Sequence, residues 1–203
     1  MPKLGMVIDL KRCMGCHTCA LACKMQNNVP MGMLWNRILT DGGESVDSAR
    51  GEFPNLQKSW MPLACLHCEN APCVKVCPVG ATFRDNDGRI LINYDRCIGC
   101  RYCMAACPYN ARVFNWQAPV REPGFSYGDV PARPKGVVEK CTLCVERTSN
   151  GKEPVCVEVC PAKARTFGDL DDPNSAVSKA VRERGGQQLH AEKGTKPQVY
   201  YLR

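Results

Sequence analysis

The sequence lacks the features of a membrane-spanning or exported chain. It has no apolar run that approaches the roughly eighteen residues that a membrane helix requires. Its first residues, MPKLGMVIDLKRC, contain neither an apolar segment followed by small residues nor a twin-arginine pair. We therefore expect no export signal on the chain itself, and a partner protein would have to provide any attachment to a membrane.

Large apolar side chains are also scarce, with only five phenylalanines and three tryptophans in 203 residues. A core for one good-sized domain or two small ones then needs additional stabilisation. Cysteine is the residue in excess, because the chain contains 16 of them. Without an export signal, a framework of disulfides is not favoured, and the excess indicates metal chemistry.

The cysteines fall into four groups of four, and none is left over. Every group opens with CxxC and closes with CxxxC, so the pattern is an internal repeat. In chain order the groups are Cys13, Cys16, Cys19, Cys23; Cys65, Cys68, Cys73, Cys77; Cys97, Cys100, Cys103, Cys107; and Cys141, Cys144, Cys156, Cys160.

The repeat extends beyond the cysteines. Apolar, β-branched runs precede three groups (MVIDLKRC, ILINYDRC, GVVEKC), and PVGATF, PYNARVF and PAKARTF follow the last cysteine of three. We therefore predict that each unit forms a strand, a cysteine loop, a short helix and a second strand. Asn86, Asp87 and Gly88 predict a hairpin turn between two such strands. In the polar tail, a helix is predicted over 175–184, followed by a short VYYL strand.

Two segments between the units are irregular. Residues 24–64 include Asp41-Gly42-Gly43 and predict a surface excursion with one strand. Residues 115–140 predict a proline-rich connector. Its turn-forming residues are Pro119, Pro123, Gly124, Pro131 and Pro134.

The spacing within a group suits a cubane 4Fe-4S core. A CxxCxxC run wraps three thiolates around one side of the cube, and Gly15 and Gly99 permit close approach of the backbone. The fourth cysteine lies four residues beyond the third, about 6 Å further along a helix, and is poorly placed to close the same cube. In bacterial two-cluster ferredoxins, the cysteine before proline ligates the other cluster. The pattern therefore predicts interlocked pairs of clusters.

The second and third groups are separated only by the hairpin, so we predict that they form one pair of clusters. The first and fourth groups then pair across the inserted segment. The predicted ligand sets are Cys65, Cys68, Cys73, Cys107; Cys77, Cys97, Cys100, Cys103; Cys13, Cys16, Cys19, Cys160; and Cys23, Cys141, Cys144, Cys156.

Zinc is the alternative, because it also binds CxxC pairs with tetrahedral thiolates. The fourth group alone fits zinc as well as a cluster, whereas CIGCRYCMAACP favours a cluster, and the shared flanks favour one explanation for all four groups. His17 and His67 are predicted to be loop or surface residues rather than ligands. Trp35, Trp60 and Trp116 are predicted to serve in packing or interfaces.

Charge does not indicate nucleic-acid binding. The formal net charge of +7 counts every cysteine as a neutral thiol. Four oxidised 4Fe-4S cores with their thiolates would lower it by about 8, to about −1. The basic surplus is then compensation for buried anions, and no nucleic-acid partner is predicted. Arg12, Arg96 and Lys140, each directly before a first cysteine, are either solvated charges or cations that tune a cluster.

Four stretches carry a resemblance to a known family: MVIDLKRCMGCHTCALACKMQN, CLHCENAPCVKVCPVGA, CIGCRYCMAACPYNAR and CTLCVERTSNGKEPVCVEVCPAKARTFGDLDDPNS. The chain resembles the four-cluster iron–sulfur (beta) subunits of molybdopterin oxidoreductases, especially those of polysulfide reductase and dimethyl sulfoxide reductase. The resemblance implies an α+β fold of two ferredoxin-like modules, one inserted in the other, with long connecting loops. Residues 60–114 would form the inserted module, and residues 1–59 and 115–203 the split one.

The resemblance also implies a function: relaying single electrons through four 4Fe-4S clusters. The partners would be a molybdenum-bis(pyranopterin guanine dinucleotide) catalytic subunit and an integral membrane, quinone-reactive anchor subunit. The cluster of Cys13, Cys16, Cys19 and Cys160 would lie nearest the catalytic partner, and that of Cys77, Cys97, Cys100 and Cys103 nearest the membrane. Co-export with the catalytic subunit would place the chain peripherally on the outer face of the cytoplasmic membrane, with the cytoplasmic face as the alternative.

Two positions of the chain can be compared with the family pattern. Cys100 is present where some relatives have tryptophan and a 3Fe-4S centre, so four cubanes are expected. Lys24 stands where the other groups have proline, which leaves the chain path after Cys23 open.

No nucleophile with a base, Gly-rich phosphate loop or flavin motif is apparent. We therefore predict an electron-transfer subunit without catalysis of its own. The alternatives are a soluble polyferredoxin serving a formate dehydrogenase or hydrogenase, and a zinc-binding interaction module.

Overall fold

A computed structural model describes residues 2–41, 48–118, 120 and 130–203. Gly42 and Gly43 of the first predicted turn, and Pro119, Pro123 and Gly124 of the connector, lie outside the described residues.

The described residues form short strands and helices joined by loops. The strands are β1 (Leu4–Asp9), β2 (Arg37–Asp41), β3 (Ser59–Leu63), β4 (Thr82–Arg84), β5 (Ile90–Ile92), β6 (Val113–Phe114), β7 (Val138–Glu139), β8 (Arg165–Asp169), β9 (Gln187–Gln188) and β10 (Val199–Leu202). The helices are α1 (Thr18–Gln26), α2 (Pro72–Lys75), α3 (Tyr102–Ala105), α4 (Val145–Thr148), α5 (Val155–Glu158) and α6 (Ala176–Glu183). The fold is therefore mixed α and β with small sheets, as predicted.

The four-stranded sheet has the order β8-β1-β10-β9 and joins the two ends of the chain. Strand β1 runs antiparallel to β8, with Met6 opposite Phe167, and parallel to β10, with Met6 opposite Val199. Since β1 precedes the first cysteine group and β8 follows the fourth, this ladder places those two groups side by side. The VYYL run of the tail is the inner strand β10.

Both faces of β1 are buried, for different reasons. Met6 and Ile8 belong to the main core, whereas Val7 on the opposite face packs with Val177 of α6. Helix α6 covers the range predicted for it, and the Oγ of Ser175 at its N-cap accepts a hydrogen bond from the Ser178 amide at 3.1 Å. Such a cap contributes about 1 kcal/mol.

The main core combines apolar side chains with cysteines. Leu66, Ile90 and Val138 are buried in one cluster with Cys19, Cys68, Cys73, Cys103 and Cys156. The scarcity of large apolar residues is thus matched by a core in which sulfur occupies much of the interior.

The hairpin predicted at Asn86, Asp87 and Gly88 is confirmed. Strands β4 and β5 pair antiparallel, with Thr82 opposite Ile92, and Gly88 has a positive φ of 79° in the turn.

The excursion over residues 24–64 contains two strands, so the prediction of one strand was wrong. Strand β2 pairs antiparallel with β3, which leads into the second cysteine group. Strand β6, after the third group, pairs with β7, before the fourth. The short apolar runs that form β2 and β3 are too brief to be distinguished from loop by periodicity alone.

Gly15 and Gly99 occupy matching places in the CMGC and CIGC loops, with φ of 69° and 68°. The sequence predicted that these glycines allow the backbone to approach a cluster closely. Their neighbours in the fold give a more direct reason why a side chain is excluded at both positions. A Cβ on Gly99 would lie 2.1 Å from the Gly136 carbonyl oxygen, and one on Gly15 would lie 2.3 Å from Nε1 of Trp60. Only glycine fits either position.

Substituting Gly99 with alanine is expected to destabilise the chain more than the same change at Gly80. Gly80 also has a positive φ, 61°, but an added Cβ there meets nothing within 4 Å. The left-handed backbone costs roughly 1–2 kcal/mol in both variants, and only Gly99→Ala adds a backbone clash. Thermal unfolding followed by circular dichroism should show a loss of about 2–8 °C for Gly80→Ala and a loss larger by about 5 °C or more for Gly99→Ala. Equal losses would contradict this explanation.

Candidate metal centres

Four places in the fold bring four cysteines together, and all 16 cysteines are free of disulfides. One is a cavity with about 370 Å³ of space unoccupied by atoms, including the part open to solvent. It lies beside Ile8 and Ile38, and Arg165 forms part of its wall. Its cysteines are Cys13, Cys16, Cys19 and Cys160, and we call it site 1.

A second cavity, of about 440 Å³, adjoins the first through Arg165, which lines both. Its walls include Met6, Leu143 and Val199. Its cysteines are Cys23, Cys141, Cys144 and Cys156, which we call site 2, and Cys65 also reaches it.

A third set of cysteines that lie close together is evident from the environment of Cys68. Burial raises the pKa of the Cys68 thiol to about 12, and negative charge on Cys65, Cys73 and Cys107 contributes to the increase. These thiols therefore lie close together. The set of Cys65, Cys68, Cys73 and Cys107 is called site 3.

The last cavity has about 330 Å³ of space unoccupied by atoms, including the part open to solvent, and is walled by Ile92, Ile98 and Val138. Arg112 lines it, as Arg165 lines sites 1 and 2. Its cysteines are Cys77, Cys97, Cys100 and Cys103, which we call site 4.

The four sites contain the same groupings that the sequence predicts, with three cysteines from one group and the fourth from another. Short helices produce this exchange. Helix α1 carries Cys19 to site 1 and Cys23, one turn later, to site 2. Helix α5, which packs against α1, carries Cys156 to site 2 and leads to Cys160 in site 1. The role of these cysteines as cluster ligands remains a prediction.

The other pair of sites repeats this arrangement. Helix α2 holds Cys73 of site 3 and leads to Cys77 of site 4, while α3, in contact with it, holds Cys103 of site 4 and leads to Cys107 of site 3. The loops before α1 and α3 also match in backbone conformation. His17 and Arg101, at equivalent places, have positive φ of 59° and 60°.

The buried thiols are poorly suited to carry charge unless a cation joins them. Burial raises the pKa of Cys141 and Cys23, and the neighbouring cysteines of site 2 raise both further. Burial also raises the pKa of Cys156, to about 11, although the positive charge of Arg165 opposes the shift. Thiolates at such positions require a cationic group between them. The residues present therefore fit a 4Fe-4S core, whose irons supply that positive charge.

Two buried arginines contact the cysteine sites, and sequence reasoning missed both. Arg165 is 6% exposed, with Nη2 at 3.5 Å from Sγ of Cys19 and Nη1 at 3.9 Å from Sγ of Cys156. Burial lowers the pKa of Arg165, but Cys156 and Cys19 raise it above its ordinary value. Arg112 is 3% exposed. Both follow alanine in the repeated PYNAR and PAKAR stretches, which is the signal that could have found them.

The residues directly before the first cysteines differ from one another. Arg12 and Arg96 are exposed, as expected for solvated charges. Lys140 is only 1% exposed, and its Nζ donates hydrogen bonds to the carbonyl oxygens of Ile90 and Cys141, the latter at 2.9 Å. A buried ammonium group thus directly precedes Cys141, the first site 2 cysteine of the fourth group.

His17 is exposed, as predicted. His67 lies in a loop, as predicted, but it is buried, so the prediction of a surface position was wrong. His67 is fully buried, and its Nδ1 accepts a hydrogen bond from the Ile90 amide at 3.0 Å. Burial lowers the pKa of His67 well below its usual range, and the charges of Lys140 and Arg89 lower it further. The imidazole is therefore neutral and joins the second cysteine loop to β5.

The structure explains the lysine that replaces proline after Cys23. The Lys24 Nζ donates hydrogen bonds to the carbonyl oxygens of Val29, Pro30 and Met33, at 3.1, 2.5 and 3.0 Å. Without proline, α1 continues past Cys23 to Gln26, whereas α2, α3 and α5 end before the last cysteine of their groups. Lys24 closes the loop that follows this longer helix.

The tryptophans have structural contacts, as predicted. Trp35 is 2% exposed and donates a hydrogen bond through Nε1 to the Glu139 carboxylate at 3.0 Å. Trp60 packs against Gly15. Trp116 is 64% exposed and contacts Phe114 edge to face, with the ring centroids 4.7 Å apart.

In the part of the chain that the structure describes, no group of three or more His, Cys, Asp or Glu side chains is arranged to hold a single metal ion. The cysteines of sites 1, 2 and 4 instead line cavities, as a core larger than one ion requires. Nor does any helix of the described ranges have the length and apolarity needed to cross a membrane.

Comparison with known proteins defines the class of the chain. A family model described as a 4Fe-4S dicluster domain matches residues 56–122 and 129–170, and one described as a 4Fe-4S binding domain matches residues 10–26. With the clustered cysteines, these matches define an iron–sulfur protein built from ferredoxin-like domains. The chain belongs to the iron–sulfur (beta) subunit family of molybdopterin oxidoreductases, as its motifs predict.

Three relatives illustrate the family. The chain is 57% identical over 208 residues to a protein of Halobacterium salinarum named as a dimethyl sulfoxide reductase iron–sulfur subunit, across 100% of this chain and 79% of that protein. It is 40% identical to the arsenate respiratory reductase iron–sulfur subunit ArrB of a Shewanella species, across 99% and 96%. It is 39% identical to the iron–sulfur cluster-binding subunit of a menaquinone reductase of Nitratidesulfovibrio vulgaris, across 98% and 88%. The chain is therefore an electron-transfer subunit, not a catalytic one.

Proposed function

We propose that the chain relays single electrons through four 4Fe-4S clusters, between a molybdopterin-containing catalytic subunit and a quinone-reactive membrane subunit. Bound 4Fe-4S clusters supply one-electron redox chemistry. The observation that carries the proposal is the exposure of the cysteines. Of all 16, only Cys16 and Cys100 are exposed, one in site 1 and one in site 4. The two ends of the relay each have an exposed cysteine, whereas the cysteines of sites 2 and 3 are buried or partly buried.

The proposed ligands are the four cysteines of each site, in the order site 1, site 2, site 3, site 4. Three contacts support this order. Arg165 reaches a sulfur of site 1 and a sulfur of site 2. Cys65 of site 3 reaches the cavity of site 2. Arg112 lines site 4, and its positive charge lowers the pKa of Cys73 in site 3 against the larger effect of burial.

The surfaces at the two ends suit protein partners. Met14 and Leu21 are exposed beside Cys16, at 54% and 59%. Ile98 and Tyr102 are exposed beside Cys100, at 64% and 61%. Apolar side chains placed around an exposed ligand allow a partner to dock closely and to exclude water there. The resemblance to the family assigns the site 1 end to the catalytic subunit and the site 4 end to the membrane subunit.

The nested arrangement of modules is part of the proposal, with residues 60–114 inserted between 1–59 and 115–203. The matched helix pairs α1 with α5 and α2 with α3 support it, because each pair serves two sites. The strand pair β6–β7 links the two modules rather than closing either one. We also propose that the chain lies peripherally on the cytoplasmic membrane, on its outer face, through its partners.

Iron and acid-labile sulfide analysis of the anaerobically purified protein tests the cluster content. We expect about 16 of each per chain. About four zinc ions per chain, without sulfide, would support a zinc module and exclude the proposal.

Co-purification separates the two electron-transfer roles. Purification of the tagged chain from its own cells should recover a molybdopterin subunit and a membrane protein in a stable complex. Recovery of the iron-loaded chain alone would instead indicate a diffusing polyferredoxin.

A further inference from the structure

We propose that Arg165 and Arg112 are positioning residues, each shared by two neighbouring clusters, which raise the reduction potentials of both clusters in their pair. This inference rests on the proposed function, because it takes the four cysteine sites to hold clusters. Arg165 would serve sites 1 and 2, and Arg112 would serve sites 3 and 4.

The guanidinium of Arg165 forms a fork between two sites. Its Nη2 lies 3.5 Å from Sγ of Cys19 in site 1, and its Nη1 lies 3.9 Å from Sγ of Cys156 in site 2. A further hydrogen bond from Nη2 to Oδ1 of Asn36, at 3.1 Å, holds the group in place. A planar, permanently charged fork can contact two sulfurs at once, which a lysine ammonium does less well.

Arg112 occupies the equivalent place in the other pair. It lies five residues after Cys107, as Arg165 lies five residues after Cys160. Its Nη1 donates a hydrogen bond to Oγ1 of Thr82 at 3.3 Å. Its positive charge acts on Cys73 of site 3 and Cys103 of site 4, opposing the rise in the pKa of both thiols that burial causes.

The partners of these arginines indicate where the balancing charge lies. A buried guanidinium is costly unless an anion compensates it. In the described ranges, the hydrogen bonds of Arg165 go to sulfur and to an amide oxygen. That of Arg112 goes to the Thr82 hydroxyl, and its buried Nη2 has no hydrogen-bond partner among the described residues. Arg89, in contrast, is equally buried but pairs with the carboxylates of Asp85 and Asp87, both at 2.6 Å. The anions that compensate Arg165 and Arg112 are therefore the sulfur ligands of the sites themselves.

The charge of these arginines alone is sufficient to raise the reduction potentials of nearby clusters. Each electron that a site accepts makes it more negative, and a fixed cation a few ångströms from its sulfurs stabilises that state. Arg165 contacts sulfurs from two sites, and Arg112 lines site 4 while its charge acts on Cys73 of site 3. Removing either arginine should therefore lower two potentials together. Arginine keeps its charge at every accessible pH, so the effect is independent of pH.

The test is a redox titration of the complex, or of the full holo-chain, followed by EPR. Arg165→Gln is expected to lower the midpoint potentials of two clusters and to leave the other two unchanged. Arg112→Gln should lower the other two. Arg89→Gln is the matched control, because it removes an equally buried guanidinium that is paired with carboxylates, and it should leave all four potentials unchanged.

Three results would overturn the inference while leaving the proposed function intact. They are unchanged potentials in both arginine variants with full iron content, equal shifts of all four clusters, or the same shifts in Arg89→Gln. Where Arg165→Gln loses iron instead, Arg165→Lys decides: recovery of the iron supports a role for the charge, and failure to recover it contradicts that role. Absence of iron from the wild-type chain would refute the proposed function itself.

Discussion

Replacing Cys160 with alanine is expected to remove the cluster of Cys13, Cys16 and Cys19, which lie at the other end of the chain. The fold places Cys160 in the same cavity as those three cysteines. A cubane that loses one thiolate ligand is lost or converted to a three-iron centre, so total iron should fall from about 16 to between about 12 and about 15 per chain. EPR of the reduced protein should lack one four-iron signal.

Cys156→Ala is the matched control, because Cys156 lies on α5 only four residues earlier. It lines the cavity with Cys23, Cys141 and Cys144, so its replacement should remove a different EPR signal. If both variants lose the same signal, or if Cys160→Ala loses the cluster of Cys141 and Cys144, then the interlocked assignment is wrong.

Replacing Glu139 with alanine is expected to cause the largest loss of stability among substitutions that touch no cysteine. Glu139 is fully buried, and its carboxylate accepts hydrogen bonds from Nε1 of Trp35 at 3.0 Å and from Nδ2 of Asn115. Burial raises its pKa, but Asn115 and the charge of Arg133 oppose that shift. Arg133 is itself only 4% exposed and stacks on Trp35, with its guanidinium carbon 4.7 Å from the ring centroid.

Removing the carboxylate would leave the buried donors of Trp35 and Asn115 without an acceptor and would take away the negative charge that acts on Arg133. Unsatisfied buried donors cost about 1–3 kcal/mol each, so the total loss should be about 3–5 kcal/mol. For a chain of this size, the midpoint of thermal unfolding should fall by roughly 6–20 °C. Glu158→Ala is the control, because the Glu158 side chain is 58% exposed and pairs with Arg147 at the surface. The control should change the midpoint by no more than about 2–4 °C. Similar losses for the two variants would contradict the role assigned to Glu139.

Glu139 also lies where distant segments of the chain meet. Its strand β7 pairs with β6, after the third cysteine group, while Trp35 comes from the excursion that follows the first group. One buried carboxylate thus connects the strand before the fourth cysteine group with segments that follow the first and third groups.

The features that the sequence predicted well depend on short-range spacing. The hairpin at Gly88 and helix α6 with its Ser175 cap both follow from local geometry. The CxxxC spacing separates the third and fourth cysteines by one helical turn, and this separation alone sends them to different sites.

The features that it missed depend on long-range packing. Three features become apparent only in the folded chain. They are the burial of His67, the contacts of Arg165 with two cysteine sites, and the hydrogen bonds from Lys24 to carbonyl oxygens. A polar residue carries no local mark that distinguishes a solvated from a buried position. The repeated alanine–arginine of PYNAR and PAKAR is the sequence signal for the buried arginines.

The measurement that tests the central claim most directly is an anomalous difference map at the iron edge from crystals of the holoprotein. We predict four iron–sulfur clusters, with Cys160 bound to the same cluster as Cys13, Cys16 and Cys19, and Cys107 bound to the same cluster as Cys65, Cys68 and Cys73. Metal bound by the four cysteines of a single group, such as Cys141, Cys144, Cys156 and Cys160, would contradict the account.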